Sequence, residues 1–123
     1  MLASDTQIYK DTYTLANVLF GITQKFTKDV KSTLARRIEN CVLDLADSIV
    51  EANIDINHRS EVLKVDFIIN YERLQFVLNL ALARKQITLR QQAHIARLMS
   101  SIGKQATRWR QSEPKRKDPN GVS

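Results

Sequence analysis

Glycine and proline are scarce in this chain of 123 residues, with three Gly and two Pro, and the one spot rich in both, Pro119 to Gly121, lies at its C-terminal end. Tight hairpins, Gly-rich phosphate loops and strand-turn-strand sandwiches therefore have almost no punctuation to build from, and an all-helical fold remains. Cysteine occurs once, as Cys41, which excludes an intrachain disulfide and fits a reducing compartment. No Cys/His grouping has zinc-ligand spacing, and the Glu-x-x-His pairs that carboxylate di-metal bundles project into their cores do not occur. Long apolar runs are missing too. The longest charge-free stretch of the first half, Thr12 to Gln24, is too short and too rich in Thr, Asn and Gln to span a hydrocarbon layer of ~30 Å. Met1 to Lys10 lacks the basic region and apolar run of a signal peptide, so the expected location is the cytoplasm.

What is present is a composition able to fill one core, 43% hydrophobic and 26% charged. The length fits a single domain, which excludes a multi-domain enzyme. Charge is divided unevenly. Residues 1–83 carry 9 basic and 11 acidic side chains, whereas residues 84–123 carry 10 basic and 2 acidic ones, so the formal charge of +6 belongs to the last third. A basic segment joined to a near-neutral one points to a polyanionic partner, nucleic acid first.

Apolar periodicity divides the chain into four helices. Ser4 with Gln7 matches a capping box, and Ile8, Leu15, Leu19, Ile22 and Phe26 then follow at seven, four, three and four, predicting a helix to about Lys25. After a turn at Thr27 to Asp29, Leu34, Ile38, Cys41, Leu45, Ser48 and Ala52 form a second stripe. Asn57 is the expected N-cap of a third helix running to about Lys85, with Leu63, Phe67, Leu74, Leu78 and Ala81 as its stripe, which Val65, Ile68, Ile69, Phe76 and Val77 widen. That apolar surface, Val65 to Ala83, is broader than one bundle needs and predicts self-association. Thr88 and Gln91 form another capping box, opening a fourth helix to about Gln111 whose core face is Ile95, Met99, Ile102, Ala106 and Trp109. Short connections require an up-and-down antiparallel four-helix bundle over 1–112, with 113–123 a disordered basic tail.

Candidates for catalysis are few. Asp55 and His58 fall in a predicted loop, His94 has no partner, and Cys41 takes a core position where a thiol behaves as a small hydrophobe. We expect no catalytic residue, no metal and no cofactor. The fourth helix gives the positive signal. At about 100° per residue from Arg90, Arg97 falls at about −20°, Lys104 at about −40° and Arg108 at about 0°, while the core set spans about 100° to 180°. Four cations thus share one face pointing away from the bundle, and no acidic residue between Gln86 and Ser112 neutralises them. Arg84 and Lys85 before this helix, and Lys115, Arg116 and Lys117 after it, extend the field. Solvated outer faces also collect charge, so the missing acids carry the binding expectation. Trp109 reads as a packing anchor, since a stacking platform would show several aromatics among the cations.

The order of features, Ile8-Tyr9 in the first helix, the Phe26-Thr27-Lys28 turn, Leu74-Gln75-Phe76-Val77-Leu78 in the third and Ile102-Gly103-Lys104 with Trp109 in the fourth, resembles a small four-helix-bundle family. It includes the accessory variability determinant (Avd) proteins of diversity-generating retroelements and the intervening-sequence proteins of large ribosomal RNA genes. The resemblance covers about Ile8 to Arg110. It implies a homopentameric barrel, non-enzymatic, that binds RNA or DNA and the element's reverse transcriptase in support of mutagenic cDNA synthesis, with an intervening-sequence protein of unknown activity as the alternative. Thr27 stands where relatives often carry proline. Gln75 and Asn79 stand where some carry arginine, which shifts the implied binding role onto Arg84, Lys85, Arg90, Arg97, Lys104 and Arg108.

Overall fold

The computed structural model of the chain describes residues 6–113, and among these it is wholly helical. Helix α1 is Gln7–Thr23. Helix α2 covers 28–54 as Lys28–Val30, a π-helical turn Lys31–Ala35 and Arg36–Ile54. Helix α3 covers 59–83 in the same way, as Arg59–Glu61, a π turn Val62–Asp66 and Phe67–Ala83. Helix α4 is Leu89–Ser112. A hydrogen bond from the Thr27 N–H to Gln86 Oε1 (2.9 Å) brings the α1–α2 and α3–α4 loops to one end of the bundle. Arg59 bonded to Glu113 (3.1 Å) brings the start of α3 to the end of α4 at the other. The chain therefore runs up, down, up, down.

Three start signals resolve differently. Ser4 lies outside the described residues; α1 begins at Gln7, and its cap is Thr6, whose hydroxyl accepts the Tyr9 N–H at 3.3 Å. Gln7 is then the first helical residue, and its amide donates to Asp11 (2.8 Å) instead of closing a capping box. Helix α3 opens after His58, not Asn57, and no side chain caps it. Asp55 organises that turn, its carboxylate accepting from His58 Nδ1 at 2.8 Å and from the His58 N–H at 3.3 Å. At α4 the expected capping box is present, Thr88 Oγ1 accepting the Gln91 N–H (3.1 Å) and Gln91 Oε1 accepting the Thr88 N–H (2.9 Å).

The core follows the predicted stripes. Leu15, Leu19, Ile38, Leu45, Leu74, Leu78, Ile95 and Ile102 are essentially inaccessible, each contributing on the order of 1.5 to 3 kcal/mol by burial. Ile22 and Trp109, expected inside, are half-buried at its margin. Three buried hydroxyls are satisfied by carbonyls of their own helices, Thr12 to Ile8, Thr23 to Phe20 and Ser48 to Leu45, and Thr23 lies 2.7 Å from Glu39 of α2. Each π turn inserts one residue and so rotates the segment before it by about 100°. Two adjacent residues are buried at each, Leu34 with Ala35 and Val62 with Leu63, as Cys41 with Val42 and Val77 with Leu78 are in regular helix.

On α3, Val77 belongs to the core, whereas Val65, Ile68, Ile69, Phe76 and Leu80 are exposed on the single chain, Phe76 at 69%. Val65, Ile69, Phe76 and Leu80 recur at four, seven and four, one face of a helix.

Candidate nucleic-acid interface

Helix α4 is fixed in rotation from both flanks, and this aims its cations. On the α1 side, Asp11 accepts from Gln105 Nε2 at 2.6 Å and from Ser101 Oγ at 3.1 Å. On the α3 side, the Tyr71 hydroxyl donates to the Met99 carbonyl at 2.9 Å. Gly103 makes that seat possible, because a Cβ there would stand 3.1 Å from the Tyr71 hydroxyl oxygen. Burial pushes the Tyr71 hydroxyl above the usual phenol range, so it remains a proton donor.

With Ile95, Met99, Ile102 and Ala106 inward, Arg90, Arg97, Lys104 and Arg108 are all exposed on the opposite face. Among the described residues none of the four forms an ion pair with a carboxylate. Lys104 and Arg108 also edge an open groove of about 900 Å³ between α3 and α4, floored by Phe67, Tyr71 and Gly103. Gln75 of α3 lines the same groove, and its amide donates to Asn79 at 3.2 Å, so these two residues are engaged with each other. Lys115, Arg116 and Lys117 lie outside the described residues.

Arg84 and Lys85 are exposed in the α3–α4 loop, which closes α3 by a Schellman arrangement: the Gln86 N–H bonds the Ala81 carbonyl (2.9 Å) and the Lys85 N–H the Leu82 carbonyl (3.0 Å). That geometry needs a left-handed residue at Lys85, whose φ is +60°. Glycine is the usual occupant, and a side chain there costs on the order of 1 kcal/mol. Sequence reading identified Lys85 as a cation and missed this strain.

The other candidates are quiet. Asp55 and His58 are paired with each other in the exposed α2–α3 turn, and the hydrogen bond from His58 holds the Asp55 carboxyl below its usual range. Trp109 packs against Ala52, Val62 and Leu63, with the Arg59 guanidinium 5.4 Å from its ring centre, an anchor rather than a free stacking surface. Cys41 is buried, and burial pushes its thiol up despite the counteracting Arg37 charge. Thiol reagents at pH 8 should leave Cys41 untouched in the folded protein and react promptly in denaturant; fast labelling without denaturant would show that α2 opens readily. Among the described residues no group of three or more His, Cys, Asp or Glu could hold a metal ion, and no helix is long and apolar enough to cross a membrane.

Fold and site together define a small helical bundle whose distinctive chemistry is one outward cationic face. The chain belongs to the bAvd-like family, whose model matches residues 6–113, and this family is of the Avd accessory, non-catalytic kind. The resemblance drawn from Ile8 to Arg110 thus extends over every described residue. No curated protein and no solved structure matches the chain.

Proposed function

We propose that this protein is the non-enzymatic accessory subunit of a diversity-generating retroelement, assembling as a homopentamer and binding both nucleic acid and the element's reverse transcriptase. The observation that carries the reading is the α4 face: Arg90, Arg97, Lys104 and Arg108 outward, with no carboxylate on their helix, in a chain of the bAvd-like family. Such a face holds a phosphate backbone by charge and releases its counterions. Affinity therefore depends little on base sequence and steeply on salt. Arg84 and Lys85 continue the field at one end of α4; Lys115, Arg116 and Lys117 would continue it at the other.

The exposed apolar face of α3 supports the assembly. Phe76 and Leu80 stand beside Arg37, Arg73 and Arg84 along a groove against the start of α2, an apolar centre with a charged rim of the kind that subunit interfaces use. Light scattering at micromolar concentration should give five times the 14.1 kDa chain mass. A monomer would remove the assembly from this reading, and Phe76→Glu should dissociate the pentamer while leaving helicity intact. Binding itself is tested by titrating labelled RNA and duplex DNA across a salt series, and polymerase recruitment by co-purification with the retroelement's reverse transcriptase. Equal affinity at low and high salt would overturn the phosphate-contact mechanism.

A further inference from the structure

The end of the bundle that carries the α1–α2 and α3–α4 loops is strongly cationic. Across 24–31 and 84–91, Lys25, Lys28, Lys31, Arg84, Lys85 and Arg90 are all exposed, and Asp29 is the one carboxylate. Asp29 is already engaged: it accepts the Thr27 hydroxyl at 2.6 Å, which holds its carboxyl below the usual range, with the Arg84 charge acting in the same direction. The two loops form one surface because Gln86 bridges them, its Oε1 accepting the Thr27 N–H at 2.9 Å and its amide donating to the Arg84 carbonyl at 3.2 Å.

Within this surface Lys85 occupies a left-handed backbone position that glycine would fill without strain. A side chain kept where the backbone disfavours one points to a role beyond the fold. Among the described residues Lys85 makes no ion pair, so no stabilising pairing accounts for it. Its place, between Arg84 and the first cation of the α4 face, does.

We propose that this loop end is a second phosphate-contact surface, continuous with the α4 face, over which a bound nucleic-acid strand turns from Arg90 onto Lys85, Lys28 and Lys25. The inference rests on the nucleic-acid reading of α4 and adds to it two lysines of the α1–α2 segment, Lys25 and Lys28, and a reason for the strain at Lys85. The occupant is a phosphate backbone because the surface offers cations and no exposed aromatic, Phe26 being buried in the core, so it has charge to give and no stacking platform.

The test uses Lys85→Gly, which removes the cation while relieving the strain, so stability and binding part company. The variant should melt at or above the parent temperature, yet bind labelled single-stranded RNA with a log-log salt slope lower by about 0.7 for each copy of Lys85 in contact. Adding Lys25→Gln and Lys28→Gln should lower affinity on the order of 100-fold at 0.1 M salt, at unchanged oligomer size. Lys85→Asn, which also tolerates a left-handed backbone, is the second variant should glycine loosen the loop. Parental affinity and slope in both the Lys85 variants and the triple variant would overturn the proposal. So would a selective loss of binding to anionic lipid vesicles with RNA binding intact. If charge reversal at Arg97 and Lys104 abolishes binding while the loop-end variants bind like the parent, the α4 reading stands and the loop end falls. If the parent binds no nucleic acid, both fall.

Discussion

Charge reversal at Arg97 and Lys104 together is expected to leave the fold untouched and to remove most nucleic-acid binding. Both side chains are exposed on α4, opposite Ile95, Met99, Ile102 and Ala106, and neither is ion-paired among the described residues. Surface substitutions of this kind usually change stability by no more than about 0.5 kcal/mol. Each phosphate contact contributes about 0.7 to the log-log salt slope for single strands and about 0.9 for duplex DNA. Reversal does more than delete two contacts, because four unit charges change and the neighbouring Arg90 and Arg108 then share their face with carboxylates. Affinity at 0.1 M salt should fall at least 100-fold per pair of contacts, with a smaller remaining slope. Circular dichroism and light scattering should match the parent. A folded variant that binds RNA, DNA and the reverse transcriptase like the parent at matched salt would show the stripe to be only a solvated face.

That prediction draws on the part of the molecule most legible in its sequence. The Thr88/Gln91 capping box, the three-four spacing from Ile95 to Ala106 and the cations at seven-residue intervals are all local, and a helix converts local spacing directly into facing. The features that eluded the sequence are of two physical kinds. Some are backbone events without a side-chain signature: the doubled apolar residues at the π turns, Leu34-Ala35 and Val62-Leu63, look like Cys41-Val42 and Val77-Leu78 of regular helix, and the left-handed Lys85 shows none either. The others are polar pairs between helices, such as Asp11 with Gln105, 94 residues apart, which periodicity cannot pair. For the start of α1, the Ser4/Gln7 pattern missed the cap that the fold uses, Thr6, which puts Ile8 one residue inside the helix and into the core.

Arg59 is the largest of these hidden pairings, and its removal should be the most damaging single polar substitution in the protein. An arginine in the first turn of α3 looks ordinary, even mildly unfavourable beside the positive end of a helix dipole. In the fold it closes the corner between three helices. Its Nε donates to the Ala52 carbonyl at 2.6 Å and one terminal nitrogen to the Asn53 carbonyl at 3.0 Å, capping the end of α2. The other terminal nitrogen pairs with Glu113, just past α4, at 3.1 Å, with side-chain exposures of only 18% and 16%. Its Cζ also lies over the Trp109 ring. Charge-assisted hydrogen bonds contribute about 1.5 to 3 kcal/mol each, and truncating one member of a largely buried pair strands the other, so Arg59→Ala should cost about 3 kcal/mol in total. Arg59→Lys should recover only a fraction, because a single ammonium cannot serve two carbonyls and a carboxylate in the directions the planar fork does. Glu113→Gln should cost less than either, since its amide oxygen still accepts. Urea denaturation measures the three losses, and hydrogen exchange locates them: the last turn of α4, which carries Arg110, should lose protection first in the alanine variant. An Arg59→Ala protein within 0.5 kcal/mol of the parent would mean that water replaces the guanidinium without penalty and that α4 is held by its apolar face alone.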